Sequence, residues 1–591
     1  MSGPSEGPAR LEVALIPYLS PIVELYLKHL IPWDEYFALR KGSDVDARTE
    51  RETLESVLQT AAQICTELEP SLRASWHAEA KLVGGEVQYP PAIRAAYDTL
   101  ARAGLVSFGV SEGYGGYGLP SWMANVILQM IARADAGLMT IVGLQAGVAE
   151  DIQIYADADL KQRYLPGFAA CELMGAMDLT EPQAGSDLGG IRTRATEQGG
   201  AIRLDGEKIF ITNGGSQVHL VLARDDDTYE KSLGTTNGLS LYLCPRTLPD
   251  GTPNGLKVVR LEQKLGIHGS PTAVIAFDKA VAWRIGVKGR GFRAMLSLMN
   301  NARLGVAAQA VGIGEAALDS AVRYARERRQ FGQPIVAQPL MVNQLARMVT
   351  NLEASRALLY RTCALVDRNH SIRAYLDRER NLPSGERERY EAIFERNDVR
   401  IRLLTPLAKY LATEGSVELT RAAIQVHGGL GFMSESVPGK LHADAIITTI
   451  YEGTSQIQVS FALKEVGKGA LDVVFDEVRR DLASLTRPEL APYADRVRSG
   501  IDLVLAAGGA LAADLGYALL SAQSLAENLA SILVAGELLL QANQDPVRFD
   551  VAASWIERRM VDLEGRTERI RRGSSDLIAR CTRMIEAAVP A

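Results

Sequence analysis

The spacing of apolar side chains separates helical from strand-like regions of the chain. From residue 11 to about 170, apolar residues recur at helical intervals, as in Leu54 to Leu68 and Pro91 to Ala103. This is the pattern of helices that pack one face on a core. Gly104 follows the second segment and is a typical helix-ending residue. We therefore predict a helical N-terminal region, with a further helical run from Trp122 to about Tyr155.

Alternating apolar and polar residues replace this pattern between about Met174 and Val287, and turn residues become frequent. Short strands are predicted at Ala201 to Gly206, which runs into a turn, and at Lys208 to Thr212, Val218 to Ala223, Leu239 to Cys244 and Val274 to Phe277. Short, closely spaced strands favour a compact antiparallel sandwich or barrel of about 110 residues.

Helical spacing returns from Gly291 onward. Helices are predicted at Val311 to Arg329, Met341 to Val366 and Leu403 to Val426, and residues 466–591 are Ala- and Leu-rich helix throughout. The stretch from Asp367 to Arg400 is rich in charge and contains Pro383-Ser384-Gly385. We expect it to be a solvated insertion.

The order of these regions predicts an α+β chain. An N-terminal helical domain, a central antiparallel β-sandwich or barrel, a C-terminal helical bundle and an extra C-terminal helical domain follow one another. The predicted boundaries are an N-terminal extension at 1–50, the helical domain at 51–173, the β domain at 174–288, the bundle at 289–465 and the helical extension at 466–591.

Charge argues against one class of partner. The 591 residues include 64 Lys and Arg against 71 Asp and Glu, a formal net charge of −7. Proteins that bind nucleic acid neutralise phosphates with a basic surface, so we expect no nucleic acid as main partner.

Cysteine usage and hydropathy bear on the compartment. The five cysteines are widely spaced, with no Cys-x-x-Cys, and the histidines lack metal-ligand spacing, so we predict neither disulfides nor a metal site. Reduced thiols favour a cytoplasmic protein. The first ten residues lack a basic region, and no apolar run approaches 18 residues. We therefore expect no signal peptide and no stable membrane insertion.

Three segments carry candidate chemistry. Met177 to Asp187 combines small residues, hydroxyls and a proline, and can present backbone N–H groups to a polar cofactor, although it could equally be a structural loop. Gln425 to Phe432 holds three glycines that permit close approach of a pyrophosphate, but glycines after a helix are commonly a cap. In Ile450 to Ile457, Glu452 follows an apolar run. It could be a desolvated base or simply an acid at a helix entry.

Together, in this order and spacing, these segments resemble the acyl-CoA dehydrogenase family. Further matches are Lys208 to Gly215, Lys264 to Ser270 and Arg326 to Gly332, and the resemblance covers roughly residues 85–465. The additional C-terminal helices are similar to those of the larger members, which carry a C-terminal helical extension.

The resemblance implies FAD as cofactor and α,β-dehydrogenation of an acyl-CoA thioester to trans-2-enoyl-CoA, as in fatty-acid β-oxidation. Glu452 falls on the position of the family's base, which takes the α-proton while the β-hydride passes to flavin N5. In the family, the base's own N–H and a flavin hydroxyl stabilise the enolate-like charge. Some members place the base just before the arginine that matches Arg303, but Ala302 stands there, which favours Glu452.

The resemblance also implies a set of contact residues. Flavin contacts are expected from Met177, Leu179, Thr180, Gly185, Ser186, Phe210, Ile211, Thr212, Thr454 and Gln456. Contacts to flavin across a subunit interface are expected from Arg328, Gln330, Phe331, Gln338, Gln425, Val426, His427, Gly428 and Gly429. Contacts to the acyl-CoA are expected from Ser186, Asn300, Arg303, Tyr451 and Gly453.

Three departures from the family pattern stand out. Phe210 occupies a position where many members have Trp, Asn300 one that is often acidic, and His442-Ala443-Asp444 replaces an Arg-Asp pair. The segment Leu138 to Gln145, expected to line the acyl pocket, is mostly apolar with a small Gly143. It favours an aliphatic acyl group over a dicarboxylate.

The implied partners are an acyl-CoA, an electron-transferring flavoprotein as electron acceptor, and further copies of the chain in a homodimer or homotetramer. Two alternatives stay open: a flavin oxidase that passes electrons to oxygen, and a non-catalytic assembly factor. Peripheral membrane attachment through residues 466–591 is a weaker option, because amphipathic helices more often pack in a core.

Overall fold

A computed structural model describes residues 17–589, apart from the side chains of residues 296–301. Asn300, an expected acyl-CoA contact, lies outside the described side chains. The N-terminal helices are α1 (Pro21–Leu25), α2 (Trp33–Lys41), α3 (Ala47–Ala74), α4 (Pro91–Arg102), α5 (Ser121–Ala134), α6 (Ala136–Tyr155) and α7 (Ala158–Ala169). A π-helical turn, Tyr26–Leu30, follows α1, and a small hairpin joins β1 (Lys81–Val83) to β2 (Glu86–Gln88).

The helical run expected from Trp122 to Tyr155 is two helices. Asp135 leaves the helical conformation at φ −159°, and its carboxylate accepts a hydrogen bond from the Leu138 N–H at 2.8 Å. An aspartate in this position caps a new helix, because it satisfies an N–H that has no partner within the first turn. The hairpin β1–β2 was not predicted either, since three-residue strands give almost no alternating pattern.

The central domain contains seven strands and one short helix. They are β3 (Gly175–Asp178), β4 (Arg194–Gln198), β5 (Ala201–Thr212), β6 (Val218–Asp225), α8 (Tyr229–Ser232), β7 (Leu239–Pro245), β8 (Leu256–Leu261) and β9 (Thr272–Ile285). The pairing order β6-β4-β5-β9-β7 closes on itself because β7 also pairs with β6, while β3 joins β6 and β8 joins β9. The pairings are antiparallel except β3–β6 and β4–β6. The domain is thus the expected closed β structure with two parallel contacts.

The two strands predicted at Ala201 to Gly206 and Lys208 to Thr212 form a single strand, β5. The chain runs without interruption through β5, because Gly206 does not end the strand. At φ +150° it accompanies a register shift between Leu204 and Gly206, and a Cβ there would meet Thr193 at 2.6 Å. The glycine therefore bends a long strand at a bulge, the alternative meaning of a strand glycine.

The C-terminal bundle contains α9 (Gly291–Glu327), the hairpin β10 (Arg329–Gln330) and β11 (Gln333–Pro334), α10 (Pro339–Arg378), α11 (Ser384–His427), α12 (Val437–Thr448) and α13 (Ser455–Val466). The stretch 367–400, expected to be a solvated insertion, has most of its charged residues between 377 and 391 exposed, but it is helical. This stretch continues α10 and α11 as a helical hairpin, since apolar residues at helical spacing hide among the charges. Tyr390 and Phe394 of α11 pack with Ile372 and Leu376 of α10 and with Leu39 of α2.

The extension is helical, as expected. Its helices are α14 (Ala470–Ala483), α15 (Ala491–Ala512), α16 (Leu515–Leu520), α17 (Ala522–Gln544), α18 (Phe549–Arg572) and α19 (Asp576–Ala588). By length and composition α17 could cross a membrane, but most of it is buried inside the protein. Gln541 of α17 donates to the Tyr26 hydroxyl at 3.1 Å, and that hydroxyl donates to Glu537. The helix therefore belongs to a core that joins the extension to the N-terminal segment.

Candidate active site

A cavity of about 260 Å³ lies between α5 and α6, with Glu452 in its wall. The loop between α12 and α13 contributes Tyr451 and Glu452. Met177 of β3 and Thr212 of β5 face the same space from the β domain, and Ala302 and Gly305 face it from α9. Four residues of the expected acyl segment, Met139, Thr140, Gly143 and Leu144, line it as well. Three domains thus meet around one carboxylate.

Glu452 sits on a strained turn. Its φ of +55° and the +91° of Gly453 are both left-handed, a conformation that costs a non-glycine residue about 1–3 kcal/mol. The turn is held by side chains: Gln458 Nε2 donates to the carbonyls of Glu452 and Gly453 at 3.0 and 2.9 Å, and Lys409 Nζ donates to the Gly453 carbonyl at 2.8 Å. The surroundings therefore fix where the carboxylate points.

Two cations oppose the effect of burial on this carboxylate. Burial raises the pKa of Glu452, while the positive charges of Arg303 and Lys409 act to lower it. Burial also lowers the pKa of Lys409 to about 7 and that of Arg303 to about 10. The Arg303 guanidinium lies 4.5 Å from the centre of the Phe461 ring. Such a carboxylate is a weaker acid and a stronger base than one in water.

Tyr451 is held by a chain of hydrogen bonds. Its hydroxyl donates to Gln309 Oε1, and Gln309 Nε2 donates to the Ala136 carbonyl and to Thr140 Oγ1, both at 2.9 Å. The sequence alone does not indicate Gln309, Lys409 or Gln458. Each lies inside a helix whose spacing indicates only burial, so no local signal points to them.

On the β-domain side, a buried ion pair holds the loop that follows β3. Glu181 accepts from Lys208 Nζ at 2.9 Å, from the Thr193 N–H at 2.9 Å and from the Arg192 N–H at 2.7 Å. Burial alone would raise the pKa of Glu181, but Lys208 and these hydrogen bonds outweigh it and hold the pKa below its ordinary value. Lys208 also donates to the Leu179 and Leu222 carbonyls at 2.8 Å.

This loop and the end of β5 offer a surface for a flat aromatic group. Phe210 has φ +58° and keeps 60% of its side chain exposed next to the cavity residue Thr212. Gly185 and Ser186 are exposed, and a Cβ at Gly185 would meet only Thr180, at 3.8 Å. Exposed aromatic surface, hydroxyls and open backbone at this edge of the β domain fit a flavin. Leu179 and Thr180 are half-buried there, and Ile211 is buried beneath.

The residues expected to contact flavin across an interface lie elsewhere. Gln338 and His427 are half-buried and Val426 is buried, while the exposed members are Arg328, Gln330, Phe331, Gln425, Gly428 and Gly429. The His427 ring stacks on Tyr324 of α9 at 4.4 Å, which places the start of the Gly428–Phe432 turn beside α9. None of them lines the described cavity. A single chain does not bring this set to Glu452.

The remaining expected contacts have simple local positions. Thr454 caps α13 by accepting from the Ile457 N–H at 3.4 Å, and Gln456 is exposed in its first turn. In the His442-Ala443-Asp444 departure, Asp444 accepts from the Ile267 N–H at 2.6 Å and pairs with Lys440. This aspartate therefore anchors the Lys264 to Ser270 loop.

In residues 17–589, no group of His, Cys, Asp and Glu side chains could hold a metal ion.

Three protein-family models match the chain. They are "Acyl-CoA dehydrogenase, N-terminal domain" over residues 52–172, "Acyl-CoA dehydrogenase, middle domain" over 176–280 and "Acyl-CoA dehydrogenase, C-terminal domain" over 289–377 and 390–467. The chain belongs to the acyl-CoA dehydrogenase family. It is therefore an oxidoreductase of an FAD-dependent family, and it is larger than typical members.

Several acyl-CoA dehydrogenases are similar to this chain over most of its length. The 3-methylmercaptopropionyl-CoA dehydrogenase of Ruegeria pomeroyi is 32% identical over 90% of this chain and 86% of its own. Caenorhabditis elegans ACDH-11, solved with C11-CoA, is 20% identical and covers 100% of this chain and 99% of its own, with a TM-score of 0.80. A Bacillus anthracis acyl-CoA dehydrogenase complexed with FAD is 22% identical and covers 89% and 88%, with a TM-score of 0.70. The whole-chain likeness to ACDH-11 extends the fold to the C-terminal helices.

Proposed function

We propose that this acyl-CoA dehydrogenase uses Glu452 to remove the α-proton of a saturated acyl-CoA and releases the trans-2-enoyl-CoA. The observation that carries the proposal is the position of the Glu452 carboxylate. It lies on the wall of the cavity, on a turn fixed by Lys409 and Gln458, and near the positive charges of Arg303 and Lys409. A desolvated, oriented carboxylate is the general base that removal of a weakly acidic C–H requires.

The backbone of the same turn supplies the second requirement. Among the described residues, the Glu452 N–H has no hydrogen-bond acceptor, so it can donate to a thioester carbonyl. Such a donor stabilises the negative charge that develops on the carbonyl oxygen as the α-proton leaves. Bound FAD supplies the acceptor for the β-hydride. The proton goes to the Glu452 carboxylate, and the electron pair of the Cα–H bond forms the new double bond.

The cavity wall supports an aliphatic acyl group next to the base. Leu128, Met139, Gly143 and Leu144 line the part of the cavity between the two helices, and burying each methylene of a ligand against apolar atoms contributes about 0.8 kcal/mol. We place the enzyme in fatty-acid β-oxidation type chemistry on this basis.

The proposal includes partners and a compartment. Exposed apolar side chains near the predicted interface residues, including Phe331 and Phe432 at 93% and 83% exposure, support at least a homodimer. Family membership supports an electron-transferring flavoprotein as the acceptor, and rapid reoxidation by air would favour the oxidase instead. The free cysteines Cys65, Cys171, Cys244, Cys363 and Cys581 support the cytoplasm.

Anaerobic titration of the purified holoenzyme with a panel of saturated acyl-CoAs tests the proposal. We expect at least one to bleach the flavin absorbance, and we expect Glu452→Gln to lower the bleaching rate by at least 10²-fold with FAD still bound. Glu564→Gln removes an exposed carboxylate on α18; it is the matched control and should behave as wild type. A protein that takes up no FAD would favour the assembly-factor alternative. Unchanged bleaching in Glu452→Gln would contradict the role of Glu452.

A further inference from the structure

The cavity is long, and its far end differs chemically from the end at Glu452. It follows α6 from Thr140, which neighbours the Tyr451 hydrogen-bond chain, to Gln153. At a helical rise of about 1.5 Å per residue this distance is roughly 20 Å. Ser121 and Leu128 of α5 line the opposite side. The cavity is thus a channel between two antiparallel helices.

Small residues on α6 keep this channel open. Gly143, Ala146 and Gly147 line it at helical spacing, and a Cβ added to Gly147 would meet no atom within 4 Å. A Cβ at Gly143 would touch Met139 and Leu128 at 3.4 and 3.6 Å, in ordinary contact. An unbranched acyl chain fits such a channel, and a larger side chain at 147 would occupy its middle.

Polar side chains line the far end. Arg40 of α2, His370 of α10, and Ser111, Glu150 and Gln153 line it. Arg40 lies before the first residue that the family models match and donates to the Tyr36 hydroxyl at 2.5 Å and to the Gly118 carbonyl at 2.9 Å. Its guanidinium has five N–H donors, so these two hydrogen bonds leave donors that a ligand can use.

His370 is the most informative of these residues. His370 lines the cavity with its side chain exposed in this chain, and among the described residues its ring has no hydrogen-bond partner, so it is free to bond a ligand. Desolvation by the surrounding protein and the nearby charge of Arg40 lower the pKa of His370 below its ordinary value. The imidazole is therefore neutral at physiological pH, with one nitrogen that donates and one that accepts.

The charges at this end favour a neutral oxygen over a carboxylate. A methyl terminus would desolvate Arg40 and His370 and return no hydrogen bond. A carboxylate would pair with Arg40, but Glu150 lines the same end, and the nearby Asp367 carboxylate caps α5 by accepting from the Ser121 and Trp122 N–H groups at 2.5 and 2.8 Å. A hydroxyl can accept from Arg40 and bond the neutral imidazole without adding charge.

We propose that the substrate is an acyl-CoA of about twelve to sixteen carbons that carries a hydroxyl group at its ω end, bound by Arg40 and His370. This rests on the proposed dehydrogenation at Glu452. The chain length follows from the channel, because an extended chain advances about 1.2 Å per bond, the value that a peptide backbone reaches. The hydroxyl is a recognition group and takes no part in the reaction.

The test measures anaerobic flavin reduction in the holoenzyme with C12, C14 and C16 acyl-CoAs that end in a methyl, a hydroxyl or a carboxylate. We expect kcat/KM to be about tenfold higher for the best ω-hydroxy substrate than for its methyl counterpart, the effect of one net hydrogen bond. His370→Phe should remove this preference and His370→Gln, which can still hydrogen-bond, should keep most of it. Hexanoyl-CoA is too short to reach His370 and should react equally with all three proteins.

A second pair of variants tests the channel itself. Gly147→Leu should abolish reduction by C12 to C16 substrates and spare hexanoyl-CoA. Gly565→Leu makes the same change at an exposed position of α18, where a Cβ also meets no atom within 4 Å. It should leave flavin reduction by the C12 to C16 substrates and by hexanoyl-CoA unchanged.

Three results would overturn the inference while leaving dehydrogenation at Glu452 intact. They are equal or faster reduction by the methyl-ended chains, a preference for the carboxylate-ended chains, or an ω-hydroxy preference that His370→Phe retains. Failure of every acyl-CoA, hexanoyl-CoA included, to reduce the flavin would instead overturn the proposed function and this inference together.

Discussion

Lys409 shows how one buried residue can control the base. It is fully buried, donates to the Gly453 carbonyl at 2.8 Å and places a positive charge near Glu452. Its own pKa of about 7 means that this charge is present below pH 7 and is lost above it. Lys409 touches neither substrate nor cofactor in this account, so it acts as a positioning residue.

We predict that Lys409→Met moves the acidic limb of the pH–rate profile for flavin reduction to higher pH. Glu452 must be ionised to accept a proton, burial raises its pKa, and the charge of Lys409 opposes that rise. Without the charge, the pKa of Glu452 rises further and the rate falls most on the acidic side. We expect a loss of roughly tenfold at pH 6 that narrows above pH 7, where wild-type Lys409 is itself neutral.

Lys409→Arg keeps the charge and is the control, and its acidic limb should stay near that of wild type. A uniform loss of rate across the whole pH range in Lys409→Met would indicate a purely structural role and contradict this prediction.

At the residue scale, the sequence indicated the base Glu452 but not the buried residues that hold it in place. Glu452 stands in a short segment with glycine and hydroxyl neighbours, so its motif is visible in the sequence. Lys409 and Gln309 reach the site from α11 and α9, and only tertiary packing brings them there. A buried lysine in a helix gives the same apolar-spaced pattern whether or not it meets a base.

Among the elements, the loop after β3 depends on the Glu181–Lys208 pair. Both side chains are almost completely buried and bonded to each other at 2.9 Å, and Lys208 also bonds the Leu179 carbonyl of the predicted flavin loop. Removing one partner of a buried pair leaves the other charge uncompensated, which costs about 3–5 kcal/mol.

We therefore predict that Glu181→Gln lowers the free energy of unfolding by about 3 kcal/mol and weakens FAD retention. Urea unfolding, together with release of FAD on gel filtration, measures both effects. Glu207→Gln changes an exposed carboxylate on the same strand β5 and should leave both quantities at their wild-type values. Full stability and FAD content in Glu181→Gln would show that the pair does not hold the loop.

The element pattern explains which parts of the fold were predictable. Amphipathic spacing located the long helices, but their ends were underestimated where charge hides a helical face, as in the 367–400 stretch. Asp135 and Gly206 were misjudged for a related reason: a single capping or bulge residue changes the path of the chain without interrupting the hydrophobic pattern around it.

At the scale of the whole molecule, we propose that one chain holds only part of the flavin site. The residues expected to contact flavin across an interface do not line the cavity of their own chain, and several apolar neighbours are exposed, among them Phe331, Leu340, Leu430 and Phe432. Exposed apolar patches of this kind are typical of protein–protein interfaces. A second copy of the chain would bury it and supply those residues.

We predict that the wild-type protein is at least a dimer by light scattering, and that Phe331→Asp combined with Phe432→Asp yields a monomer that retains less than about a tenth of the bound FAD. Val547→Asp alters an apolar residue of the extension that is 82% exposed, and it should stay oligomeric and yellow. A wild-type monomer that holds a full complement of FAD would contradict the shared site.

The central claim is that Glu452 removes the α-proton, and proton exchange tests it most directly. Holoenzyme is incubated anaerobically with hexanoyl-CoA in D₂O, and deuterium at the α-carbon of the recovered acyl-CoA is measured by mass spectrometry. The wild-type enzyme should incorporate deuterium, and Glu452→Gln with bound FAD should reduce the rate at least 10²-fold. Incorporation at the wild-type rate in Glu452→Gln would show that another group is the base.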